Sequence, residues 1–422
     1  MSIVVQKYGG TSVADASRIG NVARRIVATH EQGHQVCAVV SARGDSTDEL
    51  LQLAYEITPE PPEREMDMLL TTGERISCAL LAMAIHRLGK EAVSFTGSQA
   101  GIITDTVHGK ARILDIHAFR VEEALAAGKI VLVAGFQGVS TAKEITTLGR
   151  GGSDTTAVAL AHSLGAEFCE IYTDVDGVYT ANPSLVSKAR KIDTISYDEM
   201  LEMAASGAQV LALRSVEYAR KYGIPIHVRS SFADTEGTWV REEGDMDVEQ
   251  QLEQPIIRAV TYTTDEAKVT VRHVPDRPGV AARVFSALAA AHVNVDTIIQ
   301  NTSESGHSDI SCTIPADDVP AAGKSLRQIV AELGALGYDS DDSIAKVSIV
   351  GAGMRTHPGV AATMFQTLAD LGINLDMIST SPIKISCVIS KDRVDESVRA
   401  LHTVFGLDDD CVYPETADRG GC

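Results

Sequence analysis

The chain has 422 residues, 44% of them hydrophobic, with 34 Gly and 13 Pro, so it is too long for one ordinary core and two or three globular domains are expected. Its 57 Asp and Glu outnumber 37 Lys and Arg, and the formal net charge of -20 argues against nucleic acid or a membrane surface as a partner. The opening MSIVVQKYGG lacks a signal peptide's basic and apolar regions, no stretch is expected to span a bilayer, and seven scattered cysteines without a CxxC pair suit a reducing, cytoplasmic setting with free thiols and no zinc.

Through about residue 230, apolar runs alternate with amphipathic stretches, the pattern of a mostly parallel sheet covered by helices on both faces. Residues 3–6 are expected as a strand, Ile19, Val22, Ile26 and Val27 as one face of a helix, and 36–40 as the next buried strand. Further strands are expected at 130–133, 169–173 and 226–229. From 233 to 255 the composition turns acidic and polar, including REEGDMDVEQQLEQ, and a linker over 233–264 follows from the lost periodicity.

Beyond it lies an internal repeat. Pro278-Gly279-Val280-Ala281-Ala282 recurs as Pro358-Gly359-Val360-Ala361-Ala362, and Asn294-Val295-Asp296 as Asn374-Leu375-Asp376, each at an offset of 80. Ile310-Ser311-Cys312 recurs as Ile385-Ser386-Cys387 at an offset of 75, so one loop is shorter in the second copy. Each copy reads strand, turn, helix, strand, strand, helix, strand, which predicts two similar α+β modules at 265–342 and 343–422 that pack together.

Four segments carry chemistry. KYGGTS (7–12) follows the first strand, where two glycines let backbone N–H groups approach phosphate and Lys7 can neutralise a transferring phosphoryl group; a plain Gly-Gly turn is the alternative. No Walker A pattern is present. In TTLGRGGSDTTA (146–157), Gly151-Gly152 leads into Ser153-Asp154, read as caps of a helix from Thr155 toward Leu164, so free N–H groups and the positive helix end favour an anion, and Arg150 offers a planar fork to a carboxylate.

YTDVDGVYTANP (172–183), with Asp174, Asp176 and Tyr179, can bracket a base and ribose; a calcium loop is set aside because the downstream acidic ligand is missing. In TTGERIS (71–77), Glu74 opens an amphipathic helix and could bind an ammonium, though a first-turn glutamate also complements the helix dipole. KVSIVGAGMRTHPG imitates a dinucleotide fold, but Thr356 takes the third glycine position, so a nicotinamide cofactor is not expected.

Taken together, KYGGTS, SARGDSTDELL (41–51), TTGERIS, LGRGGSD, YTDVDGVYTANP, MLEMAASGA and the two repeats closely resemble the aspartate kinase family over essentially the whole chain. The resemblance implies an α/β amino acid kinase domain at 1–232 followed by two ferredoxin-like ACT modules. It also implies an enzyme that makes L-aspartyl 4-phosphate from L-aspartate and MgATP, at the entry to lysine, threonine, methionine and diaminopimelate synthesis.

The resemblance also gives these residues roles. Lys7, Tyr8, Gly9 and Gly10 would hold the phosphates with Asp154 orienting Lys7, and Thr173, Asp174, Tyr179, Ser184 and Gln209 would line the nucleotide site. Aspartate would meet Arg150, Gly151, Gly152 and Ser153 together with Glu74, Ser41 and Thr47, and no general base is needed because a carboxylate is already nucleophilic. Arg43, Ser184 and Gln209 depart from the family's usual methionine, arginine and lysine, which leaves a decayed, effector-binding homologue or a kinase for another carboxylate as alternatives.

In the modules, Asp276, Pro278, Gly279, Val280, Ala281, Asn294, Val295, Asp296 and Gln300, with Val360, Ala361, Asn374, Leu375 and Ser381 in the second copy, would bind a free amino acid, lysine, threonine or both; repeats that bind no effector and only dimerise are the alternative. Pairing of such modules implies a homo-oligomer, and Met246 is a candidate start for a shorter subunit.

Overall fold

The computed structural model describes residues 2–242, 256–301, 306–352, 354, 357 and 359–408, in two bodies. The first comprises 1–178, 191–205 and 209–250, the second 179–190, 206–208 and 251–422. Met246 lies outside the described residues.

The first body is built on an eight-stranded sheet. Its spatial order is Thr194–Ser196, Thr238–Arg241, Ile226–Ser230, Phe168–Thr173, Ile3–Tyr8, Gln35–Val40, Ile130–Ala134 and Ala92–Phe95. All neighbours are parallel except Ile226–Ser230 with Thr238–Arg241. The central strands are apolar on both faces, as a doubly covered sheet requires: Val36, Cys37, Ala38, Val39 and Val40 are all fully buried. Helix Ala16–Glu31 starts where Asp15 accepts from Arg18 N, and buries Ile19, Val22, Ala23, Ile26 and Val27. Together with Cys78, Leu81 and Ile85 of helix Thr72–Arg87, that stripe covers the sheet face formed by Tyr8, Val36, Ala38, Ile130 and Leu132. Helix Gly152–Ser163, buried along most of its length, packs on Ile3–Tyr8, Gln35–Val40 and Phe168–Thr173.

A second sheet of Ile113–Ile116, Ile102–Thr104, Gln137–Ser140 and Ile145–Thr147 flanks the first. The stretch Glu63–Arg87 is long and apolar enough by composition to cross a membrane, contrary to the expectation of no such length. It breaks at Thr71 into two helices, of which the second buries Cys78, Leu81 and Ile85 in the core while Met68, Ile76, Leu80 and Met83 are exposed.

The second body holds the repeats. Copy one orders Gly337–Asp341, Glu266–Pro275, His307–Pro315 and Ile298–Gln300, all antiparallel, under helices Val280–Ala290 and Val319–Leu333. Copy two orders Ile256–Thr263, Ile344–Ala352, Lys384–Ser390 and Met377–Ser381, with helices Gly359–Asp370 and Val394–Val404. Hence the expected last strand of copy two does not follow its second helix among the described residues. Ile256–Thr263, from ahead of copy one, takes that place and pairs along Ile344–Ala352.

The expected linker is corrected at both ends. Thr238–Arg241 is a strand of the first body with Thr238 and Val240 buried, and Ile256–Thr263 buries Ala259, Val260 and Thr261. The acidic run between them is flanked by two short strand segments, TWVR and IIRAVTYT. The copies are joined reciprocally by equivalent residues of AKV in 267–269 and 345–347: Lys268 Nζ lies 3.0 Å from Asp376 Oδ2, and Lys346 Nζ lies 2.5 Å from Asp296 Oδ2 and 2.5 Å from Glu266 Oε1. Segment 179–190 docks in this body, with Ala181 and Val186 in the core of copy two and Thr180 Oγ1 2.8 Å from His402 Nε2.

Candidate active site

Lys7 sits on the first strand opposite Val39 and Ile171, and its Nζ reaches across the sheet surface to Asp154 Oδ1 at 2.7 Å. Asp154 Oδ2 accepts from Ala212 N at 3.3 Å, so the carboxylate that holds the ammonium is itself held by backbone. The strand then turns through Gly9 and Gly10. A methyl group at Gly10 would lie 2.7 Å from Ala42 O and 3.2 Å from Gly44 O, while Gly44 N donates to Gly10 O at 3.0 Å. The two strand-end loops therefore pack backbone on backbone, an approach that only glycine permits.

Ala42 leads to the third loop. Its N–H donates to Glu74 Oε1 at 3.3 Å, and a methyl group at Gly73 would lie 2.8 Å from Ala42 Cβ. Glu74 is 4% exposed, and its Oε2 has no hydrogen-bond partner among the described residues. Burial pushes this carboxyl up to about 7, more than the N–H groups of Glu74 and Ala42 and the Arg75 charge pull it down. A carboxylate kept in that position faces a donor or cation that the protein does not supply.

Helix Gly152–Ser163 begins one turn earlier than Ser153-Asp154 caps would require. Its N-cap is Gly151 at φ +74°, where a methyl would lie 2.3 Å from Ala212 Cβ, and Ser153 and Asp154 stand inside the first turn without capping. Their side chains are thereby free for Lys7 and for the space beside Gly135, where a methyl would lie 2.6 Å from Ser153 Oγ. Gly152 N is tied back to Gly149 O at 2.9 Å, which leaves the N–H groups of Ser153 and Asp154 at the start of a twelve-residue helix to suit an anion. Arg150 is exposed just before it and forms no ion pair among the described residues.

The remaining predicted residues divide. Ser41 N donates to Tyr8 O at 3.1 Å, and Thr47 stands in the first turn of helix Ser46–Ile57, beside the same loop. Thr173 ends the neighbouring strand and donates to Asp174 Oδ1 at 2.9 Å. The Tyr8 side chain does not face this site: it is fully buried on the opposite face, stacked on Tyr172 at 4.8 Å, so Tyr8 contributes backbone alone. Gln209 is exposed in the first body, whereas Tyr179 and Ser184 belong to the second, where Ser184 Oγ donates to Asn182 Oδ1 at 2.7 Å. Arg43 is exposed and donates to Ala14 O at 3.0 Å.

Two contributors escaped the sequence reading. Gly135 closes a strand and makes room for Ser153, a signal present in the Gly that follows 130–134. Arg214 donates to Leu148 O at 2.6 Å and Ala111 O at 3.1 Å, and no local pattern marks it.

In the second body, Asp276, Pro278 and Gly279 form an exposed turn, and Val280 and Val360 are buried in the cores of their copies, with Ala281 and Ala361 packed beside them. Asn294, Val295 and Asp296 follow the first helix of copy one, and Asp296 is engaged by Lys346. Gln300 Nε2 donates to Ser308 Oγ at 3.2 Å, and Ser381 Oγ accepts from Ile383 N at 3.3 Å. Leu375 packs against the core of copy two, and Asn374 lines a cavity of about 450 Å³ with Asp341, Ser343 and Asp376. A second cavity, of about 460 Å³, is lined by Lys268, His273, Asn301, His307, Asp309 and Asp376, and the Pro278 turn lines neither.

The amino acid kinase family model matches residues 2–230, and ACT domain models match 269–331 and 347–405. Aspartokinase of Mycolicibacterium smegmatis is 57% identical over 417 residues, covering 98% of each chain, and that of Corynebacterium glutamicum is 52% identical over 422 residues, covering 99% of this chain and 100% of its own. The crystal structure of E. coli aspartokinase III in complex with aspartate and ADP superposes with a TM-score of 0.81 at 27% identity, over 95% of this chain and 99% of that one. The same enzyme in complex with lysine and aspartate gives 0.68 at 26% identity, with the same coverage. A kinase sheet with a lysine–carboxylate pair at its strand ends, two ACT modules and full-length likeness together show that this chain belongs to the aspartokinase family and is an aspartate kinase.

Proposed function

We propose that the chain transfers the γ-phosphoryl of ATP to the β-carboxylate of L-aspartate, giving L-aspartyl 4-phosphate as the first step toward lysine, threonine, methionine and diaminopimelate. The observation that carries this reading is the meeting of two unlike sites at one set of strand ends: the Lys7–Asp154 pair, and a buried Glu74 whose Oε2 lacks a hydrogen-bond partner among the described residues. Lys7, the Gly9-Gly10 backbone and the start of helix Gly152–Ser163 suit phosphate oxygens, with Thr173 and Asp174 on the adjoining strand end. Glu74 suits the substrate ammonium, and Arg150 the planar carboxylate, with Ser41, Thr47, Gly151 and Ser153 nearby in the same loops. The attacking carboxylate needs no base, so positioning and charge stabilisation supply the catalysis.

Among the described residues no group of three His, Cys, Asp or Glu is arranged for a metal, so magnesium would enter on the nucleotide's phosphates and supply charge neutralisation there. Tyr179, Ser184 and Gln209 are proposed for the nucleotide side on family likeness. Feedback by lysine, threonine or both through the ACT modules is supported by the E. coli relative captured with lysine. A cytoplasmic homo-oligomer, with or without a shorter subunit from Met246, completes the reading. Incubation with ATP, magnesium, L-aspartate and hydroxylamine should yield aspartyl hydroxamate, suppressed by lysine or threonine. Effector binding without hydroxamate across a range of ATP would favour a purely regulatory protein instead.

A further inference from the structure

Asp67 is 1% exposed on helix Glu63–Leu70, and among the described residues no lysine or arginine pairs with it. Its carboxylate is instead filled by three donors from two other segments. Thr147 Oγ1 donates to Oδ1 at 2.5 Å, His108 Nδ1 lies 2.6 Å from Oδ2, and Gly109 N is 3.2 Å from both oxygens. A buried carboxylate so fully ligated fixes the segments that ligate it.

Those segments are the approaches to the acceptor side of the site. Asp67 stands seven residues before Glu74, and its carbonyl accepts from Thr71 N at 3.2 Å; Thr71 O in turn accepts from Gln137 Nε2 at 3.1 Å. Thr147 ends its strand three residues before Arg150, and its carbonyl accepts from Ala111 N at 2.9 Å. Gly109, held through its N–H, presents its carbonyl to Gly149, where a methyl would lie 3.2 Å away. Arg214 clamps the same two segments at Leu148 O and Ala111 O.

We propose that Asp67 is a positioning residue for phosphoryl transfer: it sets the loop bearing Arg150 against the helix bearing Glu74 and touches neither substrate. The proposal rests on the reading that Arg150 and Glu74 bind L-aspartate. A carboxylate tied to both loops controls the spacing of the two groups that grip one small molecule, and a shift of that spacing costs affinity for aspartate before it costs anything at the phosphates.

The test is steady-state kinetics on full-length Asp67→Asn, Thr147→Val and Thr147→Ser, with Arg150→Lys as a control on the underlying reading. Asp67→Asn and Thr147→Val should raise KM for L-aspartate about tenfold or more while KM for ATP stays within about twofold, and Thr147→Ser should restore the parent value. Thr147→Val keeps the side chain's volume, so it remains informative if Asp67→Asn fails to fold. An unchanged KM for aspartate in folded Thr147→Val, with Arg150→Lys raised, overturns the role of Asp67 alone. An equal rise in both KM values would make Asp67 merely structural and also overturns it. An unchanged KM for aspartate in Arg150→Lys removes the reading beneath the proposal and the proposal with it.

Discussion

The Lys7 ammonium stands 2.7 Å from Asp154 Oδ1, and the other oxygen of that carboxylate is tied to Ala212 N. The lysine is therefore aimed before any nucleotide arrives. Replacing Lys7 with Met should lower kcat about 10²–10³-fold with little change in KM for aspartate, as expected for a charge that acts mainly in the transition state. Asp154→Asn should fall between the two, because the ammonium survives but loses its aim. Hydroxamate formation measures both, and parent-like turnover in Lys7→Met would move charge stabilisation to another residue.

Glu74 sets a pH dependence of defined sign. Burial raises its carboxyl from 4.5 to about 7, so the folded state holds the proton more tightly than the unfolded chain. Stability contributed at this position falls as pH rises from about 4.5 to about 7, reaching a cost on the order of 3 kcal/mol above that range. Urea unfolding of the parent and Glu74→Gln should coincide near pH 4 and separate above pH 7, with the glutamine form more stable. Activity should run the other way: KM for aspartate falls as pH rises through about 7, because the substrate ammonium needs the ionised carboxylate. A flat KM profile for the parent would detach Glu74 from the substrate.

Lys346 is 1% exposed and shared by Glu266 and Asp296. Burial alone would push its ammonium down, yet the two carboxylates hold it above the ordinary lysine range. Removing it strips the shared cation from Glu266, which is largely buried, and from Asp296, which is half exposed. Lys346→Ala should destabilise the second body by about 3–5 kcal/mol, and Lys346→Met combined with Glu266→Gln should recover much of that loss. Lys268→Ala breaks the more exposed mirror pair with Asp376 and should cost no more than about 1 kcal/mol. Denaturant midpoints that rank the two single variants the other way would contradict this account.

His402 is fully buried, between Thr180 Oγ1 at 2.8 Å and Asp408 Oδ1 at 2.7 Å. Burial lowers its pKa more than Asp408 raises it, so the imidazole is neutral near pH 7 and acts by hydrogen bonding rather than as an ion pair. The unfolded chain takes up the proton first, and stability is lost as pH falls below about 6.5. Protection against amide exchange along 179–190, taken relative to the intrinsic rate at each pH, should fall over that range, and His402→Gln should abolish the pH dependence. Protection that is independent of pH in the parent would assign the docking of 179–190 to Ala181 and Val186 alone.

Much of the first body was legible because its signals are local. The strand at 36–40 is a run of apolar residues, and the helix carrying Ile19, Val22, Ile26 and Val27 shows its period directly. Lys7, Glu74 and Asp154 could be nominated from motifs, since each stands at a turn whose glycines are themselves a signal. The orientation of Tyr8 needed the register of three strands, and the cap at Gly151 needed the position of Ala212, sixty-one residues on. Asp67 lies in a helix whose composition gives no hint of its three donors, which arrive from residues 108, 109 and 147. Long-range pairings of this kind leave no trace in spacing.

The borrowed strand Ile256–Thr263 makes the two ACT modules topologically unequal. Copy one is continuous from its first strand to its last, whereas copy two is a split module into which copy one has been spliced. A fragment cut between the repeats, or begun after residue 264, would leave Ile344–Ala352 as a bare sheet edge, with its amides open to pairing with another chain. The paired ACT modules are thus indivisible at the boundary that the repeat marks. Its smallest autonomous portion must begin ahead of Ile256, and a chain initiated at Met246 would satisfy that condition.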